Sequence, residues 1–172
     1  MTFMEDDHLH VVEIGHPLVS GAVAAHEGGV RLVMLDAART EVAVCAAAGG
    51  RPLRRGGPGP ADEAARQIIE YLDGRRRTFR LQLDMRGTAF QLEVWRALAR
   101  VPYATTVTYG ELARRVGRPA AAHAVGAACR ANPLPLLVPC HRVLAANGGL
   151  AGFSAGLGLK RTLLRLEDIA IP

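Results

Sequence analysis

The sequence predicts a mixed α/β protein built from two small domains, and three observations carry that expectation. The first third of the 172 residues is a series of short β-prone runs separated by Gly- and Pro-containing breaks. From Gly87 onward the apolar residues recur at helical spacing. With 49% hydrophobic and 22% charged residues, the chain has enough apolar material for packed cores and too little bias for wholesale disorder.

In order, HLHVVEI (8–14), SGAVAAH (20–26), GVRLVML (29–35) and EVAVCAA (41–47) read as four strands of one meander sheet. GGRPLRRGGPGP (49–60) consists almost wholly of Gly, Pro and Arg, so it is expected as a flexible loop. ADEAARQIIEYLDG then places Ala65, Ile68, Ile69 and Leu72 on one helical stripe, with acidic residues in the first turn and Gly74 as the stop. RTFRLQLDM (77–85) alternates and reads as one more strand. The change of period sets the domain boundary, giving 1–84 and 85–172.

The second domain opens with TAFQLEVWRALARV, where Phe90, Val94, Trp95, Leu98 and Val101 share a stripe that Pro102 ends. VTYGELARRVGRPAAAHAVGAACRAN reads as a short helix, a turn at Gly117 to Pro119 and an Ala- and Gly-rich second helix: a helix-turn-helix shape. A last amphipathic helix is expected over about Leu157 to Leu166.

Composition also excludes several classes. No run approaches the roughly 18 to 20 apolar residues of a membrane span, and the start MTFMEDDHLH is acidic where a signal peptide is basic. Cys45, Cys129 and Cys140 are odd in number and far apart, against a disulfide framework or a zinc ribbon, so a reduced cytoplasmic setting is expected. His8, His10, His16 and His26 lack a paired cysteine at ligand spacing, and no metal is expected. The net charge of +5, with Lys160 the single lysine, is compatible with a polyanionic partner without requiring one.

The chemistry concentrates in Asn132-Pro-Leu-Pro-Leu-Leu-Val-Pro-Cys-His-Arg-Val. Its prolines stiffen the approach to Cys140, and a neighbouring imidazole or cation raises the thiolate fraction of a thiol that is otherwise a few per cent ionised at pH 7. An activated nucleophile is one reading. A buried cysteine with two incidental neighbours is the other, because adjacent residues need not point the same way.

VPCHRV, with Asn132-Pro133 before it and GGLAGFSAG after it, resembles the active-site signature of the O6-alkylguanine-DNA alkyltransferases, or methylated-DNA–protein-cysteine methyltransferases. RGTAFQLEVWRALARVPYATTVTYGELARRVG resembles the same family, and the likeness is dense from about Leu83 to Glu167. The resemblance implies a ribonuclease H-like N-terminal domain of structural role and a mainly helical C-terminal domain carrying the helix-turn-helix. It also implies direct-reversal repair, with an alkyl group passing once and irreversibly from O6-alkylguanine, less well O4-alkylthymine, in duplex DNA to Cys140. In that scheme His141 is the base, through a water, Glu167 orients it, Tyr109 donates to the departing guanine and Asn132 braces the turn. Ser154 bonds near O6, Phe153 packs as the lid, the carbonyls of Cys140 and Val143 accept from the exocyclic amine, and Cys129 lines the base pocket.

No cofactor is implied, since the lesion is the alkyl donor, and the protein is expected to act as a monomer. The Ala-rich helix would enter the minor groove, Ala122 and Ala124 allowing close approach, while Arg114, Arg115, Arg118, Arg130 and Arg142 contact DNA. The chain departs from the pattern at His123, where the family has the arginine that fills the gap left by the flipped base. Histidine is shorter and lacks the guanidinium fork. That departure motivates an alternative, acceptance of alkyl groups from a small molecule; a non-catalytic DNA- or lesion-binding role is the third reading.

Overall fold

A computed structural model describes residues 8–171. Contacts divide the chain between Met85 and Arg86 into two compact units. In the first, β1 (Leu9–His16), β2 (Val19–His26) and β3 (Gly29–Met34) form an antiparallel meander, followed by α1 (Ala37–Ala48), β4 (Leu53–Arg55) and α2 (Pro60–Leu72). The sheet order is β3-β2-β1-β4, with β4 parallel to β1. Strand alternation sends Leu9, Val11, Ala22, Ala24 and Leu32 to one face, where they pack with Val44 and Ala48 of α1. Gly21 is required here, because a Cβ on it would collide with the Met34 carbonyl oxygen.

Three expectations are corrected in this unit. EVAVCAA lies in helix α1, not in a strand. Asp36 caps the helix by accepting the Ala38 amide at 3.0 Å, Gly49 ends it in the left-handed region, and Val44 and Ala48 meet the core at i,i+4 spacing. The alternation of Val42 and Val44 is incidental, and Val42 is exposed. Cys45 is therefore exposed on a helix. Part of 49–60 is ordered as β4, because pairing to β1 uses main-chain groups that no side-chain pattern advertises: Leu9 donates to the Pro52 carbonyl and Gly56 to that of Val11. RTFRLQLDM makes only a bridge from Leu83 to Val30, flanked by two backbone hydrogen bonds. It is fastened by side chains instead, with Arg31 and His26 both converging on Asp84 Oδ2.

The second unit contains α3 (Ala89–Ala99), β5 (Val107–Thr108), α4 (Tyr109–Arg115), α5 (Ala122–Arg130), a 3₁₀ turn at Cys140–Arg142, β6 (Val143–Leu144) and α6 (Leu157–Leu166). Capping boxes start α3, with Thr88 and Gln91, and α4, with Thr108 and Glu111. Gly117, at φ +72°, turns the chain from α4 toward α5. Trp95 is buried and its indole N–H donates to the Ala128 carbonyl at 2.9 Å, joining α3 to α5. The short parallel pair β5–β6 sets the start of α4 beside the strand that leaves Cys140. Among the described residues, no helix is long and apolar enough to cross a membrane.

Candidate active site

Asn132 organises the approach to the cysteine. Its Oδ1 accepts the Leu134 amide at 3.0 Å, and its Nδ2 donates to the Val138 carbonyl at 2.8 Å and to Cys140 Sγ at 3.2 Å. The three bonds fold residues 132–140 back on themselves, and Leu136 adopts φ +73° within the turn. Cys140 then enters the 3₁₀ turn, 4% exposed.

The turn points the next two side chains at Glu167, just past the end of α6. His141 Nε2 lies 2.9 Å from Glu167 Oε1. Arg142 donates from Nε at 3.2 and 3.0 Å to the two carboxylate oxygens and from Nη2 at 2.9 Å to Oε1. The Ala104 amide adds a bond to Oε2 at 3.0 Å. Glu167 and His141 are fully buried and Arg142 nearly so. The carboxylate thus orients the imidazole and balances a buried guanidinium. Arg142 also donates to the Val101 carbonyl at 2.7 Å and lies 5.9 Å above the Tyr103 ring.

Arg142 therefore cannot serve as the DNA contact expected of it: its side chain is spent inside the site. The sequence offered no way to tell it from the exposed arginines, since the decisive partners lie 41 and 25 residues away.

Electrostatics divide the roles further. Burial pushes the Cys140 thiol up, opposed by the Asn132 N–H and by the charge of Lys160. Burial pulls His141 below its ordinary value, opposed by its bond to Glu167. Tyr109 is pushed up, first by burial and then by the neighbouring thiols, so its phenol holds its proton firmly. Cys129 is pushed up to about 12, mainly by burial. Burial thus favours the protonated thiol and the neutral imidazole, while the Glu167 carboxylate favours the protonated ring.

Around this centre, Tyr109 of α4 faces Gly126 of α5, where an added Cβ would come 3.7 Å from the ring. Cys129 sits one turn further along the same face of α5. Phe153 is half-buried and Ser154 exposed, both on the loop leading to α6. On α4, α5 and the turn between them, His123, Ala124, Arg114, Arg115, Arg118 and Arg130 are exposed, with Ala122 half-buried. Arg118 leans over the Phe90 ring and reaches Glu93 at 3.5 Å. Val143 is buried, and Lys160 Nζ donates to its carbonyl at 2.6 Å. Lys160, Tyr103 and Ala104 are the site residues that sequence reasoning misses; a single lysine on an amphipathic helix is the one available signal. Among the described residues, no group of three His, Cys, Asp or Glu could hold a metal ion.

Fold and site define a class: a two-unit α/β protein whose buried cysteine is backed by a histidine–carboxylate pair. Residues 89–169 match the family described as 6-O-methylguanine DNA methyltransferase, DNA binding domain. The chain is 49% identical over 105 residues to a methylated-DNA–protein-cysteine methyltransferase of Methanosarcina acetivorans, covering 61% of this chain and 67% of that protein. It is 46% identical over 115 residues to one from Mycobacterium bovis, covering 67% and 70%. Among solved structures, a variant of the Mycobacterium tuberculosis O6-methylguanine methyltransferase superposes with TM-score 0.81 at 36% identity over 95% of each chain. The M. tuberculosis protein in complex with DNA gives 0.78 at 37% over 92% of each. The chain belongs to the methylated-DNA–protein-cysteine methyltransferase family.

Proposed function

We propose that the chain repairs O6-alkylguanine in duplex DNA by moving the alkyl group onto Cys140. The carrying observation is the buried centre in which Asn132 holds the Cys140 sulfur and Glu167 holds His141. The sulfur attacks the alkyl carbon, so the S–C bond forms as the C–O6 bond breaks. The thiol proton passes through a water to His141 Nδ1, the nitrogen not engaged by Glu167, and the resulting imidazolium is stabilised by that carboxylate. Tyr109 donates a hydrogen bond to the departing guanine, which receives its proton as the imidazolium relaxes, so the net products are guanine and an S-alkylcysteine. A thioether has no good leaving group, and each molecule acts once. O4-alkylthymine is the poorer substrate, no cofactor takes part, and the protein acts as a monomer in the cytoplasm.

In this reading α4, the turn and α5 work as a helix-turn-helix, and the first unit is a ribonuclease H-like support. The small side chains of Ala122 and Ala124 let α5 approach the minor groove, and Arg114, Arg115, Arg118 and Arg130 meet phosphates. His123 occupies the gap left by the flipped nucleotide, whose extrusion costs a few kcal/mol. Ser154, Phe153, Cys129 and the carbonyls of Cys140 and Val143 shape the base pocket.

Intact-protein mass spectrometry after incubation with equimolar duplex containing one O6-methylguanine tests the reading, beside free O6-benzylguanine and Cys140→Ala. One methyl added to wild type and none to Cys140→Ala is expected. Benzyl transfer from the free base without methyl transfer from DNA favours a small-molecule donor, the reading His123 suggests. No adduct from either leaves a binding role.

A further inference from the structure

Lys160 is fully buried, in the first turn of α6, where its positive charge runs against the helix dipole. A buried ammonium needs strong acceptors, and it finds two main-chain carbonyls: Val143 at 2.6 Å and Ala151 at 2.5 Å. These carbonyls belong to different parts of the site. Val143 is on the strand that leaves Cys140; Ala151 lies on the loop 145–156, two residues before Phe153 and three before Ser154. Three backbone hydrogen bonds within that loop are local, from Ala145 to Gly149, Gly148 to Ala145 and Gly156 to Phe153. None of these three holds Ala151–Ser154 against the strand.

We infer that Lys160 is a positioning residue for the alkyl transfer, its ammonium tying the loop that carries Phe153 and Ser154 to the strand that carries Cys140. This rests on the proposed function and adds to it the device that fixes that loop against the strand leaving Cys140. A tie of this kind acts on substrate capture more than on the chemical step. The chemistry stays with Cys140, His141 and Glu167, while a loosened loop lowers the fraction of protein ready to hold the base.

The test is single-turnover transfer from O6-benzylguanine, with rate measured against substrate concentration. Lys160→Met removes the donors and keeps the chain length; Lys160→Arg restores a cation able to donate to two carbonyls. Lys160→Met is expected to raise the half-saturating concentration at least tenfold while the limiting rate falls less than threefold, and Lys160→Arg to recover at least half of that loss on a logarithmic scale. A lowered limiting rate with unchanged half-saturation would show that Lys160 acts only through its charge on the thiol and would overturn the inference, as would unchanged kinetics. Hydrogen exchange on the wild-type protein decides the matter if the variants do not fold. Lys160 is the single lysine, so selective 15N labelling follows its Nζ protons alone: exchange slow enough for them to be observed at pH 7 is expected, and protons averaged with solvent would refute a tied loop. Wild type that takes no alkyl group from any donor refutes the function instead, and the exchange measurement still judges the tie.

Discussion

Glu167→Gln is the sharpest perturbation of the site. The substitution keeps shape and removes charge. Four donor groups converge on the carboxylate: the His141 ring, Nε and Nη2 of Arg142 and the Ala104 amide. A glutamine side chain offers one oxygen, and whichever way it turns its NH2 faces at least one of these donors. Arg142 then stays buried without a counter-charge. Removing one partner of a buried ion pair costs about 3–5 kcal/mol, because the survivor is left uncompensated. Urea unfolding at pH 7.5 should show a loss in that range, and transfer from O6-methylguanine DNA should slow by roughly 10² or more as the imidazole loses its orienting base. Arg142→Met alone should also destabilise the protein, whereas the double variant should be less damaged than the sum of the two, since neither charge then remains alone. A Glu167→Gln protein within 1 kcal/mol of wild type and within threefold of its rate would refute this account of the site.

Asn132→Ala should lose about 2–3 kcal/mol in urea unfolding, since the Leu134 amide and the Val138 carbonyl lose their partner. It should also move the pH for half-maximal alkylation of Cys140 upward, because the N–H that favours the thiolate is gone. His141 is held below its ordinary value near 6.5 by burial, so below that pH the unfolded chain binds a proton that the folded chain refuses. Stability is therefore full above about pH 6.5 and falls as pH drops toward the folded value, by at most about 1.4 kcal/mol per pH unit. Urea midpoints between pH 7 and 5.5 should show this decline in wild type and a flatter course in His141→Gln. His123→Arg should speed transfer from duplex DNA and leave transfer from the free base within twofold; equal effects on both would show that residue 123 does not act in base extrusion.

How much was legible depends on where the determinants sit along the chain. α6 is expected over Leu157 to Leu166 and found there, because periodic burial of Leu163 and Leu164 is a local signal. Helix α1 was not legible: valines two apart mimic a strand, and the Asp36 cap and the Ala-rich run outweigh them. β4 was hidden because a Gly/Pro/Arg segment can pair through its backbone alone. In the site, Pro139-Cys140-His141-Arg142 marks itself by residue type, yet nothing local says that Arg142 turns inward to meet Glu167 or that Lys160 folds under the loop. Those outcomes depend on partners between 9 and 41 residues away, a distance over which side-chain direction cannot be read from spacing.

The Glu167 cluster also bears on the order in which competence is acquired during synthesis. Glu167 is reached 26 residues after His141 and 63 after Ala104, and until it is in place the buried guanidinium has no counter-charge and the imidazole no anchor. A nascent chain halted between Arg142 and α6 carries its cysteine without the surroundings that make it selective. The assembled centre thus belongs to the finished second unit, and under the proposed function a chain halted there is expected to react with thiol reagents and to accept no alkyl group.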